Sequence, residues 1–286
     1  MTDPSTVTTC PLPAELEFTI IDNLSADKPS LASCSLVCSR WLPTSRRHLF
    51  QDITIKPSIH LHPDPLADFL DVLERSGGNN IEWAISPCIM KMTFDGSDWD
   101  RCSVLTCPLD LLCALLSKLP QLASLSVKSL VILDEPTSTL PKERRQITGF
   151  KLDELVVDGC STRAYDDPRH LLALLSRFSA IHSLTVDGWW VWKPDAVPTI
   201  SVDDFSSPTV YSLTPKWIRP ICARAIYALL AGPASATDEP LKRISFKGGS
   251  HQDFSALSDF ASKLGPAIQE LELRVLPDLP GPLDSK

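Results

Sequence analysis

The sequence predicts two unlike parts: a small all-α module over residues 1–56, and over residues 57–286 an α/β solenoid with parallel strands on one face and helices on the other. Apolar residues recur at helical spacing from Leu12 to Phe50. From Pro57 the rhythm changes to a helix-like segment, a short turn, and L-x-x-L-x-[LVF]. That unit then returns about every 30 residues, the signature of stacked repeats in which no unit buries its apolar side alone. The rival architecture with the same alternation of elements is a doubly wound α/β domain.

In the amino-terminal part, Pro13 suits a first helical turn and Glu15 favours the positive end of that helix. Leu16, Ile20, Ile21 and Leu24 follow at helical spacing and line one face. The Ser25–Pro29 stretch breaks the pattern, and Ser30 is the expected cap of a second helix whose apolar side is Leu31, Cys34, Val37 and Cys38. Ser39 offers a cap before Trp41, Leu42, Ser45 and Leu49, with Pro43 in the opening turns, where a missing N–H costs least. Three short amphipathic helices in roughly forty residues cannot bury all their apolar faces among themselves. Either they dock on the rest of the chain or they hold a face open for another protein.

Leu12-Pro13-x-Glu15-Leu16, then Ile20 and Leu24, a polar break, Leu31, and Leu36-Val37-Cys38-Ser39-Arg40-Trp41 together resemble the F-box, the adaptor-binding module of cullin–RING ubiquitin ligases. Leu49-Phe50-Gln51-Asp52-Ile53 is similar to the usual exit of that module into a receptor domain. The resemblance implies that Leu12, Pro13, Leu16, Ile20, Leu31, Val37, Cys38 and Trp41 form the helical core or the face against the adaptor. It departs from the family pattern at Pro43, where an unbroken helix is usual, and at Asp27, where a leucine pair usually follows and Leu31 comes late. The function it implies is a non-catalytic substrate receptor that binds the adaptor through its first helices and a target protein through the remainder. A protein-interaction scaffold outside any ligase is the alternative.

Through the carboxy-terminal part, Leu66, Phe69, Leu70 and Leu73 mark a helix over Pro65–Arg75, stopped by Gly77-Gly78-Asn79-Asn80. Ile89, Met92 and Phe94 alternate as a strand. A helix over Leu109–Leu119 precedes Leu122, Leu125 and Val127; Leu152, Leu155 and Val157 make a third strand; a helix over His170–Phe178 precedes Ile181, Leu184 and Val186. Ile218–Leu230 leads to Leu241, Ile244 and Phe246, and Phe254–Leu264 to Ile268, Leu271 and Leu273. The leading strand positions 89, 122, 152, 181, 241 and 268 are separated by 33, 30, 29, 60 and 27 residues. The long gap calls for one further strand, for which Val197–Val202 is a weak candidate. The pattern resembles the irregular leucine-rich repeats that follow an F-box in many fungal proteins, without their column of asparagines. Gly248-Gly249 follows a strand, but neither G-x-G-x-x-G nor G-x-x-x-x-G-K-[ST] occurs, which disfavours the wound sheet. Near the end, Pro277, Pro280 and Pro282 either blunt the edge of the last repeat or mark a short form of a longer receptor.

Charge and chemistry narrow the function. A formal charge of −8 argues against a long nucleic-acid groove, and no apolar run is long enough for a membrane span. The start of the chain has neither a basic head nor an apolar core, so no secretory leader is expected, and the nine cysteines read as reduced thiols of a cytoplasmic or nuclear protein. No nucleophile or metalloprotease motif occurs, so neither catalysis, a metal nor another cofactor is expected. His60 and His62 with Asp64 and Asp68 read as a solvated linker, Cys102, Cys107 and Cys113 lack zinc-site spacing, and Asp166-Asp167 reads as a loop entering a helix. Trp189, Trp190, Trp192 and Lys193 follow a strand and cannot easily all point inward: they either cover the Val197–Pro215 insertion or form a partner-binding patch. Asp95-Gly96, Asp158-Gly159, Asp187-Gly188 and Lys247-Gly248 place similar turns at one end of successive strands, where aligned loops would read a partner.

Overall fold

A computed structural model describes residues 12–56, 65–76, 85–96, 106–133, 149–160, 168–188, 204–218, 220–231, 241–248, 251–264 and 267–275. Three helices come first: α1 (Ala14–Asn23), α2 (Lys28–Val37) and α3 (Leu42–Phe50). Pro13 stands at the start of α1, with Glu15 and Glu17 in its first turn. The cap of α2 is Asp27 rather than Ser30: the Asp27 carboxylate accepts the Ser30 N–H at 3.2 Å and the Ser30 hydroxyl at 2.6 Å. Those two bonds, the hydroxyl's first, hold the Asp27 carboxyl below the usual carboxylate range. Ser39 does not cap α3 either. Trp41 occupies that position without a side-chain cap, and Pro43 falls in the first turn, where the helix asks no N–H of it. The helix therefore starts after the tryptophan and is not broken by the proline.

α3 packs against both α1 and α2 and touches the first strand. Lys28 Nζ donates to the carbonyls of His48 and Leu49, near the end of α3, where a cation meets the negative end of the helix. His48 Nε2 lies 2.6 Å from Asp22 Oδ1, joining α3 to the last turn of α1.

The strands are β1 (Asp52–Ile55), β2 (Lys91–Asp95), β3 (Thr106–Pro108), β4 (Ser124–Lys128), β5 (Val131–Leu133), β6 (Phe150–Asp158), β7 (Phe178–Asp187), β8 (Thr209–Lys216), β9 (Arg243–Gly248) and β10 (Glu270–Val275). Between them run α4 (Pro65–Ser76), α5 (Leu109–Ser117), α6 (Arg169–Leu175), α7 (Pro220–Leu230) and α8 (His251–Leu264). Eight strands form one sheet in the order β1-β2-β4-β6-β7-β8-β9-β10, and β3 pairs with β5 separately; every pairing is parallel. The order climbs with the chain and never reverses. A doubly wound sheet needs a reversal, and its ligand crevice lies there; among the described strands there is no such switch point.

β8 lies between β7 and β9 and fills the gap in the expected series; the candidate Val197–Val202 lies outside the described residues. Val210, Leu213 and Pro215 stand opposite Ile181, Leu184 and Val186. Pro215 conceals the strand in the sequence because proline lacks the N–H of a sheet ladder. The structure accommodates it where pairing to β9 lapses, between Leu213 and Lys216.

Alternation sets the two faces. Met92 and Phe94, Leu125 and Val127, Leu155 and Val157, Leu184 and Val186, and Ile244 and Phe246 point to one buried side, where they share a continuous core with α4 to α8. α5 is enclosed almost all round, so its Leu109–Leu116 run is buried without a polar face. Phe246 packs edge-on against Phe254 of α8, and Tyr227 of α7 stacks on Phe260 of α8 at 4.4 Å.

The ends of the strands are clamped in series. Gly96, Ser129, Gly159 and Gly188 donate their N–H groups to Lys128, Asp158, Asp187 and Lys216, each on the next strand. Ser129, Gly159, Gly188 and Trp217 all take the left-handed conformation there. Gly248 is the last residue of β9, opposite Val275. At Gly96 the constraint is space: a Cβ would stand 2.3 Å from the Ser129 carbonyl oxygen, which is backbone and cannot yield cheaply. Gly96→Ala is expected to cost about 1–3 kcal/mol of unfolding free energy in urea titration.

Candidate protein-interaction surfaces

Within the helical module one acidic residue decides which side of α1 faces inward. Glu17 is buried, its Oε2 accepting Trp41 Nε1–H at 3.1 Å and pairing with Arg40 Nε at 3.3 Å. Ile21, one turn on, is fully buried beside it. The apolar face expected from Leu16, Ile20, Ile21 and Leu24 is thereby divided: Ile21 enters the module, while Leu16 and Ile20 stay outside. Leu16 is 52% exposed, and Leu12, Phe18 and Ile20 accompany it on the surface. On α2, Leu31 is fully buried, whereas Leu36 is 87% exposed and Val37 is exposed as well.

Of the residues assigned by sequence to the core or the adaptor face, Leu12, Pro13, Leu16, Ile20, Val37 and Cys38 are exposed, Leu31 is core, and Trp41 is half-buried with its indole N–H satisfied. Leu36, Cys38 and Arg40 also border an open groove of about 1020 Å³ that continues along α3 past Leu42 and Arg46 to Phe50. Leu12, Leu16, Phe18 and Ile20 about α1 and Leu36 and Val37 on α2 are thus large apolar side chains left exposed, on helices that α3 and the part-buried Glu17–Trp41 bond hold in place.

The second surface is the sheet face opposite the helices. It is polar and arranged in rows, because parallel register sets equivalent residues side by side. The middle row runs Thr54, Thr93, Ser126, Val156, Thr185 and Thr214, short side chains with no aromatic among them. The row at the strand ends is charged: Asp95, Lys128, Asp158, Asp187, Lys216 and Lys247 are consecutive neighbours. Lys56 pairs with Asp95 at 3.8 Å, and Lys216 with Asp187 at 3.9 Å. Asp158 and Asp187 adjoin, and partial burial followed by the Asp158 charge pushes the Asp187 carboxyl above its ordinary range. At the opposite ends of the strands His182 stacks on Tyr211 at 4.6 Å, and Lys242 Nζ sits 5.1 Å from the Tyr211 ring centre, beside a shallow depression bordered by Pro120 and Asp153.

The Trp189–Lys193 patch, the His60 and His62 pair, Cys102, the Asp166-Asp167 loop and Pro277–Pro282 lie outside the described residues. Cys107, Cys113, Cys160 and Cys222 are buried and outside any disulfide, and burial pushes Cys160 up to about 12. Cys34 and Cys88 are partly covered, and Cys38 is exposed. Among the described residues no group of three or more metal-ligating side chains converges, and no helix is long and apolar enough to cross a membrane. Sequence reasoning missed Glu17, and of the charged row it placed Asp95, Asp158, Asp187 and Lys247 at one end of successive strands but missed Lys128 and Lys216. Glu17 lies one helical turn before Ile21, a spacing that places it on the inward stripe; strand register adds Lys128 and Lys216 to the row and sets the order of its charges.

Comparison of the chain with protein families, with curated proteins and with solved structures returns no match.

Proposed function

We propose that this chain is the substrate-receptor subunit of an F-box type cullin–RING ubiquitin ligase. In this reading residues 1–56 are the F-box-like module, and residues 57–286 form an irregular leucine-rich-repeat-like solenoid that carries the target. The observation that supports it best is the outward placement of Leu12, Leu16 and Ile20 together with Leu36 and Val37. These are positions, or neighbours of positions, that the F-box resemblance assigns to the helical core or the adaptor face, and their exposure favours the second. A climbing order of parallel strands, which is how stacked repeats assemble, supports the second half of the reading.

The mechanism is proximity. The receptor holds a target lysine near a charged conjugating enzyme carried by the same assembly, so that acyl transfer becomes effectively intramolecular. No reactive side chain of this chain takes part. The polar rows of the open sheet face offer hydrogen bonds and fixed charges for orienting a protein target.

Co-purification with a recombinant F-box adaptor tests the proposal. The intact chain is expected to retain it, and a Leu12→Ala/Pro13→Ala/Leu16→Ala variant with unchanged circular dichroism is expected to lose it. Equal retention by both excludes this interface; absence of binding by the intact chain excludes the ligase reading.

A further inference from the structure

The side chains of β10 break the pattern of the sheet. On β9, Ile244 and Phe246 are 0% and 4% exposed, whereas their neighbours on β10, Leu271 and Leu273, are 46% and 49% exposed. Among the described residues nothing pairs with the outer edge of β10. Glu270 N donates to Lys242 O on the inner side. By alternation along a parallel strand, the N–H and C=O groups of Leu271 and Leu273 then point to the free edge. An open edge flanked by apolar side chains is a template for another strand.

The sequence of β10 is complementary to itself when reversed. In an antiparallel pair centred on Leu273, the outward-pointing backbone groups of Leu273 meet those of its own copy, and Leu271 meets position 275. On the opposite face Glu272 of each copy stands across from Arg274 of the other. Within one chain these two already pair, Arg274 Nε to Glu272 Oε1 at 2.6 Å, so association would gather two carboxylates and two guanidiniums about the axis. A shift of one residue would set leucines against charges, and a shift of two, centred on Glu272, would set that carboxylate against itself.

We propose that β10 is the interface of a symmetric homodimer, in which two copies join edge to edge through antiparallel β10 strands centred on Leu273. The pairing is isologous and therefore closes at two copies. It would join two sheets into one, bring Leu271 and Leu273 of both copies into one strip on the helix side, and leave the helical module at the other end of each sheet untouched. It does not depend on the ligase reading.

Sedimentation velocity on the full chain tests it. The intact chain is expected at twice the 31.5 kDa chain mass. Arg274→Glu, which sets like charges opposite each other twice, is expected to raise the dimer dissociation constant at least about tenfold. The double exchange Glu272→Arg/Arg274→Glu restores opposite charges across the axis and is expected to recover the dimer. Leu271→Lys gives a second route to the monomer, and circular dichroism melting checks that each variant remains folded. A monomeric intact chain at its highest soluble concentration overturns the proposal. So does a dimer indifferent to Arg274→Glu, or one that the double exchange fails to recover.

Discussion

Aspartate at both Leu16 and Ile20 is expected to weaken adaptor binding by about 100-fold or more, measured by titration calorimetry, with little change in the melting temperature. The magnitude follows from the usual weight of a buried interface anchor, about 2 kcal/mol or more each, where every 1.4 kcal/mol is tenfold. The two effects separate because of where α1 puts its side chains. Glu17 and Ile21 hold the helix on the module, and neither is changed. Leu16 and Ile20 are already about half in water, so a charge there takes no core contact away from the free protein. In a complex the same charge would be buried against apolar surface without a partner. A variant that both unfolds and fails to bind would instead place these residues in the core.

The largest stability effect is expected in the sheet. Phe94→Ala should cost about 3–5 kcal/mol in guanidinium unfolding, the range for emptying an aromatic site in a packed interior. Phe94 is fully buried on β2, with Ile55 of β1 and Val127 of β4 as its neighbours in register. It therefore stands where the strand leaving the helical module joins the rest of the sheet. Val72→Ala on α4, at an exposed position, should change stability by no more than about 0.5 kcal/mol and serves as the control.

The parallel sheet was legible because two or three apolar residues recur at fixed spacing in its strands, often after a helix, and that spacing survives in Leu125/Val127, Leu155/Val157 and Leu184/Val186. β8 was not, because Pro215 occupies the last apolar position and contradicts the usual strand signal. Capping by Asp27 escaped notice for a local reason: Pro29 and Ser30 both look like boundary residues, and only the hydrogen bond to the Ser30 N–H distinguishes the cap. The candidate adaptor face was legible as a set of residues and not as a surface. Periodicity alone cannot tell which edge of an apolar stripe turns inward; on α1 that was set by Glu17, whose partners Trp41 and Arg40 are more than twenty residues away. The recurrent Asp-Gly and Lys-Gly pairs marked four members of the charged row, but which charges adjoin, and the places of Lys128 and Lys216 among them, needed register across separate strands.

Hydrogen–deuterium exchange of the intact chain with and without the F-box adaptor reads out whether the exposed side of α1 and the end of α2 are where an adaptor docks. Slowed exchange is expected in the backbone of residues 14–23 and 36–42 on adaptor addition, with the strands from β4 to β10 unchanged. Slowed exchange on the open sheet face alone, or no change in the helices at saturating adaptor, would contradict docking there.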